Sequence, residues 1–250
     1  MTAPAVGMRL EWKTATVEKV VEETSRTRSL ILSVPRWPGH RAGQHVDVRL
    51  TADDGYQAER SYSIASAPED EKLALTVEKL EDGEVSSYLC GELRVGDVFE
   101  VRGPIGGYFV WNAKDGGPLL LIAGGSGIVP LMAMLRHRAA TRASVPTRLL
   151  YSSRRWDDVI YRDELVTLSK NDRALQVTHT ITREVPRGWK GYHRRVDRAM
   201  LSETAWPAGE RPRVYVCGPT PFVESVANEL VALGHDASLV KTERFGPTGS

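Results

Sequence analysis

The chain has 250 residues, a formal charge of +1 and the apolar fraction of an ordinary globular protein, so it is long enough for one domain or two. That near-neutral balance gives no electrostatic reason to expect nucleic acid or an anionic membrane as a partner, and no apolar run approaches a membrane span. The two cysteines, Cys90 and Cys217, cannot by themselves supply a four-cysteine iron–sulfur cluster or zinc site; no metal site is expected. Residues 1–8 lack the apolar core of a signal peptide and read as a loose leader, which makes a cytoplasmic, monomeric protein the default expectation. In that reducing compartment, two cysteines so far apart in sequence are not expected to pair.

From residue 14 to about 110 the pattern is strand-like. Val17 and Val21 alternate with polar neighbours, as do Leu30, Leu32 and Val34, then Val46, Val48 and Leu50. Tyr62 with Ile64, Leu73 with Leu75 and Val77, and Val98 with Val101 continue the series. Gly, Pro or Asp marks the gaps, and the acidic turn 81–84 reads as a solvated hairpin tip. Short strands at regular spacing predict an antiparallel barrel or sandwich, interrupted by one helix over 85–93. Residues 112–118 are turn chemistry and the best candidate linker. Beyond it, apolar runs at 119–123, 148–151, 175–181, 214–217 and 238–240 alternate with helical patterns at 130–142, 157–168, 197–203 and 219–233. That alternation predicts an α/β domain with a parallel sheet, whose ligands lie beyond the strands' carboxyl ends.

The chemistry-bearing residues cluster at those ends and on the barrel strands. The run 119–123 breaks at Gly124, Gly125 and Gly127, and Pro130 suits a first helical turn. Strand, glycine turn and helix aim free backbone N–H groups at whatever sits above, although a bare βα turn explains the pattern too. The stretch is neither the six-residue dinucleotide fingerprint nor a phosphate-binding P-loop. Arg60, Ser61, Tyr62 and Ser63 offer a phosphate-pairing guanidinium, a ring for stacking and a hydroxyl, or simply a strand with one polar face. Gly83 and Ser86 open the short helix, whose free N–H groups suit a diphosphate. His137, His179, His193 and His235 are scattered and read as surface or strand residues.

In order, Arg60-x-Tyr62-Ser63, Gly83-x-x-Ser86, Gly103-Pro-x-Gly106, Gly124-Gly-x-Gly127-x-x-Pro130, Cys217-Gly-Pro219 and Glu243-Arg-Phe245 resemble the motifs of the ferredoxin–NADP reductase family. Each is short and weak alone; six in sequence cover nearly the whole chain. The resemblance implies an N-terminal antiparallel β-barrel holding FAD, residues 1–112, and a C-terminal α/β parallel-sheet domain binding NADP or NAD, residues 113–250. It implies that Arg60 pairs with the FAD diphosphate, Tyr62 packs on the isoalloxazine and Ser63 bonds near its reactive nitrogen. Val77 and Lys79 would line the flavin, and Gly83, Val85 and Ser86 would meet its diphosphate. Gly125, Ser126 and Gly127 would admit the NAD(P) diphosphate and nicotinamide, with Cys217, Gly218 and Pro219 beside the reacting carbon. Cys217 at a strand end is otherwise a small buried hydrophobe. Glu243 would polarise the nicotinamide or move a proton, and Phe245 would shield the flavin. Ser63, Cys217 and Glu243 are thus the expected catalytic set. Plant-type members end on the aromatic residue, whereas five residues follow Phe245 here.

The same resemblance implies a flavoprotein reductase that takes a hydride from NAD(P)H and passes electrons to a separate ferredoxin or oxygenase component, since no cluster domain fits in this length. A reductase of free flavin, quinone or ferric chelates is the alternative enzyme, and a non-catalytic flavin-binding subunit the alternative from another class. NADPH is expected over NADH: Arg154, Arg183 and Arg195 stand where the family binds the 2′-phosphate. They equally suit a solvated rim, and Glu184 suits the ribose hydroxyls of NADH.

Overall fold

The computed structural model describes residues 10–246, so the expected leader, 1–8, and the end of the tail, 247–250, lie outside the described residues. Six antiparallel strands form the first domain: β1 (Trp12–Thr24), β2 (Thr27–Ser33), β3 (His45–Thr51), β4 (Gln57–Ser63), β5 (Leu73–Glu78) and β6 (Val98–Ile105). Their order is β4-β3-β6-β1-β2-β5, and a bridge between Ile64 and Leu75 joins the two edges into a barrel. Period-two alternation fills it: Ala15, Val17, Leu30, Leu32, Val46, Val48, Leu75, Val77 and Val101 are buried together. Helix α1 (Glu84–Gly91) closes one end with Val85, Leu89 and Cys90.

Two phases differ from the sequence expectation. A bulge between Val17 and Lys19 re-aims the rest of β1, so Val20 rather than Val21 packs on the core. In β6 the inward residue is Phe99, while Val98 is 60% exposed.

The second domain is a five-stranded parallel sheet of β7 (Leu119–Gly124), β8 (Thr147–Arg155), β9 (Leu175–Glu184), β10 (Arg213–Pro219) and β11 (Val240–Phe245), in the order β11-β10-β7-β8-β9. The chain steps outward from β7 to β9, then returns to the other side of β7, which makes the β7/β10 crevice the topological switch point. Helices α4 (Arg198–Thr204) and α5 (Thr220–Ala232) cover one face. Helices α2 (Ile128–Ala140) and α3 (Arg162–Asn171) lie on the other, and α2 is buried on nearly every side because the barrel packs over it. One core therefore runs across the boundary: Ala42, Ala65, Ala74, Phe109 and Trp111 cluster with Leu121, Met132 and Tyr215.

Three expectations need correction here. Helix α3 begins at Arg162, not 157, because residues Trp156–Asp158 form a separate turn, Val159 is extended and Tyr161 adopts φ 59°. The run 238–240 is mostly a single turn, Ala237–Leu239, held by the Asp236 carboxylate accepting from Ser238 N–H; the strand follows it. His137 and His235 are neither surface nor strand residues: both are buried, and His137, in α2, donates through Nδ1 to Glu69 at 2.8 Å and accepts from the Ala113 N–H through Nε2. No helix of the described residues is long and apolar enough to cross a membrane.

Candidate active site at the domain boundary

At the switch point, close packing explains three of the glycines. A Cβ on Gly127 would stand 2.1 Å from the Cys217 carbonyl oxygen, and one on Gly124 or Gly218 would meet the Phe222 ring at 2.8 Å. These positions let the turn before α2 lie against β10. Gly125 differs: its φ is 55° and a Cβ there would meet nothing. Bare backbone thus faces open space at the start of the Gly125–Gly127 turn, where no side chain caps the helix. Ser126 is half-buried on the same turn. Such a helix start favours an anion.

Strand pairing brings the expected catalytic set together. Cys217 on β10 is in register with Glu243 on β11, and Pro219 with Phe245. Residues two apart share a face of a strand, so Lys241, Glu243 and Phe245 point the same way. Lys241 donates to the Val110 carbonyl of the barrel domain, which identifies that face as the one turned to the barrel. From the barrel side, Ser63 Oγ donates to Glu243 Oε1 at 3.4 Å. Burial pushes the Glu243 carboxyl up to about 7, with the Ser63 bond opposing the shift only in part. Burial, aided by the Glu243 charge, also pushes the Cys217 thiol well up, so it stays a neutral, compact group. Tyr62 packs against the barrel core, and burial raises its phenol as well. Phe245 ends the strand 36% exposed.

The remaining barrel residues divide by exposure. Arg60 is exposed on β4 and, among the described residues, donates only to the neighbouring Glu59 carbonyl, which leaves most of its guanidinium available to a ligand. Lys79 is exposed. Val77 and Val85, expected at the flavin, have their side chains inside the barrel core, so they can reach a ligand only through backbone. Ser86 is buried; its hydroxyl accepts from the Leu80 N–H and donates to the Gly83 carbonyl. A Cβ on Gly83 would sit 2.3 Å from that hydroxyl, so glycine is required for the loop to fold onto α1.

At the ends of β8 and β9, Arg154, Arg183 and Arg195 are all exposed, and none makes an ion pair among the described residues. Glu184 is in register with Arg155 and pairs with it at 2.9 Å. The segment bearing Arg195 is held to β9 by Thr180 Oγ1 donating to the Arg194 carbonyl and by the Ile181 N–H donating to Tyr192.

Two family profiles match consecutive parts of the chain: an oxidoreductase FAD-binding domain over residues 14–110 and an oxidoreductase NAD-binding domain over 121–228. The chain belongs to the ferredoxin–NADP reductase-like family of FAD- and NAD(P)-binding oxidoreductases. It is 33% identical over 235 residues to the glycine betaine monooxygenase reductase subunit of Chromohalobacter salexigens, covering 92% of this chain and 63% of that protein. It is likewise 33% identical over 241 residues to the ferredoxin reductase component of the 3-ketosteroid-9-alpha-monooxygenase of Mycobacterium tuberculosis, covering 92% and 64%. The chain thus spans just under two thirds of the length of these relatives. Among solved structures, the flavohem-like FAD/NAD-binding domain of a Vibrio cholerae nitric oxide dioxygenase superposes with a TM-score of 0.83 at 25% identity, covering 94% of this chain and 99% of that one. An Amycolatopsis cytochrome P450 reductase gives 0.82 at 25% identity, covering 96% and 71%.

The residues of this ferredoxin–NADP reductase-like chain fit both cofactors. The open backbone at Gly125 admits a diphosphate or flat ring, and the desolvated Glu243 carboxyl, with Ser63 as its one hydrogen-bond partner among the described residues, has room for another. Several boundary residues had escaped the sequence reading. Arg136 carried a weak signal, as the first charge after the apolar stretch of α2. Tyr161 carried none, since nothing in its neighbours announces a tyrosine at positive φ.

Proposed function

We propose that this chain is a flavoprotein reductase that passes electrons from NAD(P)H through FAD to a separate acceptor, a ferredoxin or an oxygenase component. The observation that carries it is the meeting of Ser63, from the barrel, with Glu243, from the sheet, beside Cys217. When bound, FAD accepts an electron pair from the dihydronicotinamide and can release electrons one at a time. The chain supplies position and polarity. Tyr62 stacks on the flavin and Ser63 bonds to its edge. Arg60, with the N–H groups at the start of α1, holds the diphosphate. Gly125 to Gly127 receive the nicotinamide nucleotide over bare backbone, and Cys217, Gly218 and Pro219 form the floor beside the reacting ring. Glu243, with a carboxyl near 7, holds or gives a proton at neutral pH, while Phe245 on the same strand face covers the ring until nucleotide arrives.

The division between the units falls at residue 112, where Asn112 caps the turn Ala113–Asp115, giving an FAD domain of 1–112 and an NAD(P) domain of 113–250. NADPH is the preferred donor, supported by three exposed arginines, on the β8 and β9 ends and the segment after β9, that make no ion pair among the described residues, and by the engagement of Glu184 with Arg155. A cytoplasmic, monomeric protein is in keeping with the free cysteines and with a cleft built from one chain.

Purified protein tests the reading. It should show flavin absorbance, or gain it with added FAD, and that absorbance should bleach promptly on mixing with NADPH. A turnover screen of ferredoxins beside free flavins should favour the protein acceptor. Absence of flavin binding, or tight binding without bleaching, defeats the proposal.

A further inference from the structure

Two polar side chains of the nucleotide domain reach the barrel next to residues assigned to the flavin. Arg136 on α2 directs Nε and Nη2 to the Glu164 carboxylate at 2.8 and 2.6 Å, while Nη1 donates to the Ala65 carbonyl at 2.8 Å. Ala65 lies two residues beyond Ser63. The guanidinium also sits over the Tyr161 ring, 4.8 Å from its centre. Tyr161 is buried and holds φ 59°, a conformation a bulky residue keeps only when its surroundings over-determine it. Its hydroxyl donates to Thr76 Oγ1, one residue before Val77.

The chain of hydroxyls continues. Ser29 Oγ meets Thr76 Oγ1 at 2.7 Å and donates to Glu23 at 2.7 Å. Ser29 has one proton, already given to the carboxylate, so Thr76 is the donor between them. The direction is therefore fixed from Tyr161 through Thr76 and Ser29 to Glu23, and each hydroxyl donates once and, after Tyr161, accepts once. On its other side, Tyr161 ends the connection that follows β8, the strand that carries Arg154, and the neighbouring Ile160 N–H is held by the Tyr151 hydroxyl. One rigid unit thus ties the coenzyme's loop to the strand beside the flavin.

We propose that Tyr161 and Arg136 are positioning residues for electron transfer from nucleotide to flavin, acting through Thr76 and Ala65. They touch neither reacting ring; they set the separation and tilt between the domain that carries each. This inference rests on the reductase reading.

The test is single-turnover rapid mixing of FAD-loaded protein with a concentration series of NADPH. Tyr161→Phe keeps the ring under Arg136 and removes one oxygen. Its limiting rate of flavin reduction should fall about ten-fold, because small misplacement of reacting groups is costly, while the nucleotide dissociation constant stays within about two-fold. Thr76→Val removes the same contact from the barrel side, and the bond to Ser29 with it, so its fall should be at least as large. The double variant should be no slower than Thr76→Val alone, since the two substitutions share the Tyr161–Thr76 contact. Arg136→Lys, which keeps a donor for Ala65 but loses the fork, should be slowed less than Arg136→Ala. A contact that is only structural would lower the melting temperature and leave the limiting rate at native speed, and that result in both single variants overturns the inference. Additive losses in the double variant overturn it as well. If native protein is reduced by neither NADPH nor NADH, the reductase reading fails and takes this role with it.

Discussion

Arg136, His137 and Tyr161 cross from the sheet domain to the barrel with their polar atoms paired. Arg136 uses Nε, Nη1 and Nη2, both ring nitrogens of His137 are engaged, and the Tyr161 hydroxyl has its acceptor. Glu243 crosses the same boundary with a single 3.4 Å hydrogen bond and a carboxyl held near 7. At other expected ligand contacts, Arg60, Arg154 and Arg183 stand exposed with little or no side-chain partner among the described residues. The paired region has spent its hydrogen-bonding capacity on the fold, whereas the open region keeps its own for ligands. Substitutions should therefore separate: on the open side they cost chemistry or binding and spare stability, on the paired side they cost stability, with a rate loss added only at Arg136 and Tyr161, which set the two domains against each other.

The largest effect belongs to Glu243. Glu243→Gln should lower the rate of flavin reduction about a hundred-fold with FAD retained, the scale of a lost proton-transfer group. The native rate should vary with pH about a midpoint near 7, and the variant should lack that inflection. Stability of the cofactor-free protein gives an independent reading. A carboxyl whose folded pKa is raised contributes its full stability below the unfolded value and loses it as pH rises through the folded one. From the usual glutamate range to about 7, the loss is on the order of 3 kcal/mol. Buried His179, held down to about 4, makes both proteins less stable at pH 5, so denaturant titrations at pH 5 and pH 8 should show the Glu243 loss as the difference between the native and variant responses. Identical pH responses in native protein and variant would mean Glu243 ionises normally.

Next comes Arg60. Its guanidinium has one local partner, the Glu59 carbonyl, so Arg60→Ala should leave unfolding of the FAD-free protein unchanged and weaken FAD. Loss of a charge-assisted contact is worth roughly 1.5–3 kcal/mol, or about ten- to a hundred-fold in affinity. Unaltered FAD affinity in a fluorescence titration would make Arg60 a plain surface residue. Arg183→Ala should do the same for one coenzyme only, reducing kcat/KM for NADPH by roughly 1.5–3 kcal/mol and that for NADH little. Equal losses for both would remove Arg183 from phosphate recognition, and a native preference for NADH would remove the phosphate site.

The paired side is tested by Glu69→Ala. It strands the buried Nδ1–H of His137 and should cost about 1–2 kcal/mol of unfolding free energy. Flavin reduction should keep most of its native rate. A large kinetic loss at unchanged stability would erase the distinction between the two regions.

What was legible in the sequence follows the same division. Alternation exposed the barrel strands, because one buried face imposes period two, and the glycine turn exposed the switch point, because close backbone approach leaves no room for Cβ. Strand ends carrying Cys217 and Glu243 could be located for the same reason. The failures are places where a distant contact outranks local pattern. The β1 bulge moved the inward phase from Val21 to Val20, and nothing beside those residues encodes it. Tyr161 delays α3 through a hydrogen bond to Thr76, 85 residues away in sequence. His137 looked like a surface residue because its partners, Glu69 and Ala113, are brought to it only by the packing of barrel on helix.

The smallest effect is the most discriminating for coenzyme choice. Glu184 is the carboxylate that an NADH enzyme would aim at the ribose hydroxyls, yet it pairs with Arg155 across the β8 and β9 ends at 2.9 Å, with both side chains more than half exposed. An exposed pair contributes at most about 1 kcal/mol, so Glu184→Gln should leave the melting temperature nearly unchanged. Releasing Arg155 adds a free guanidinium beside Arg154 and Arg183, and removing the carboxylate removes a repulsive charge near the 2′-phosphate. Both changes act in the same direction, and both are weakened by solvent. The ratio of kcat/KM for NADPH over NADH should therefore rise, by roughly two- to five-fold at low salt, and the gain should shrink as ionic strength increases. A rise produced solely by loss of NADH activity would instead mean that Glu184 leaves Arg155 to hold the ribose when coenzyme binds, and the paired geometry would then describe only the empty loop.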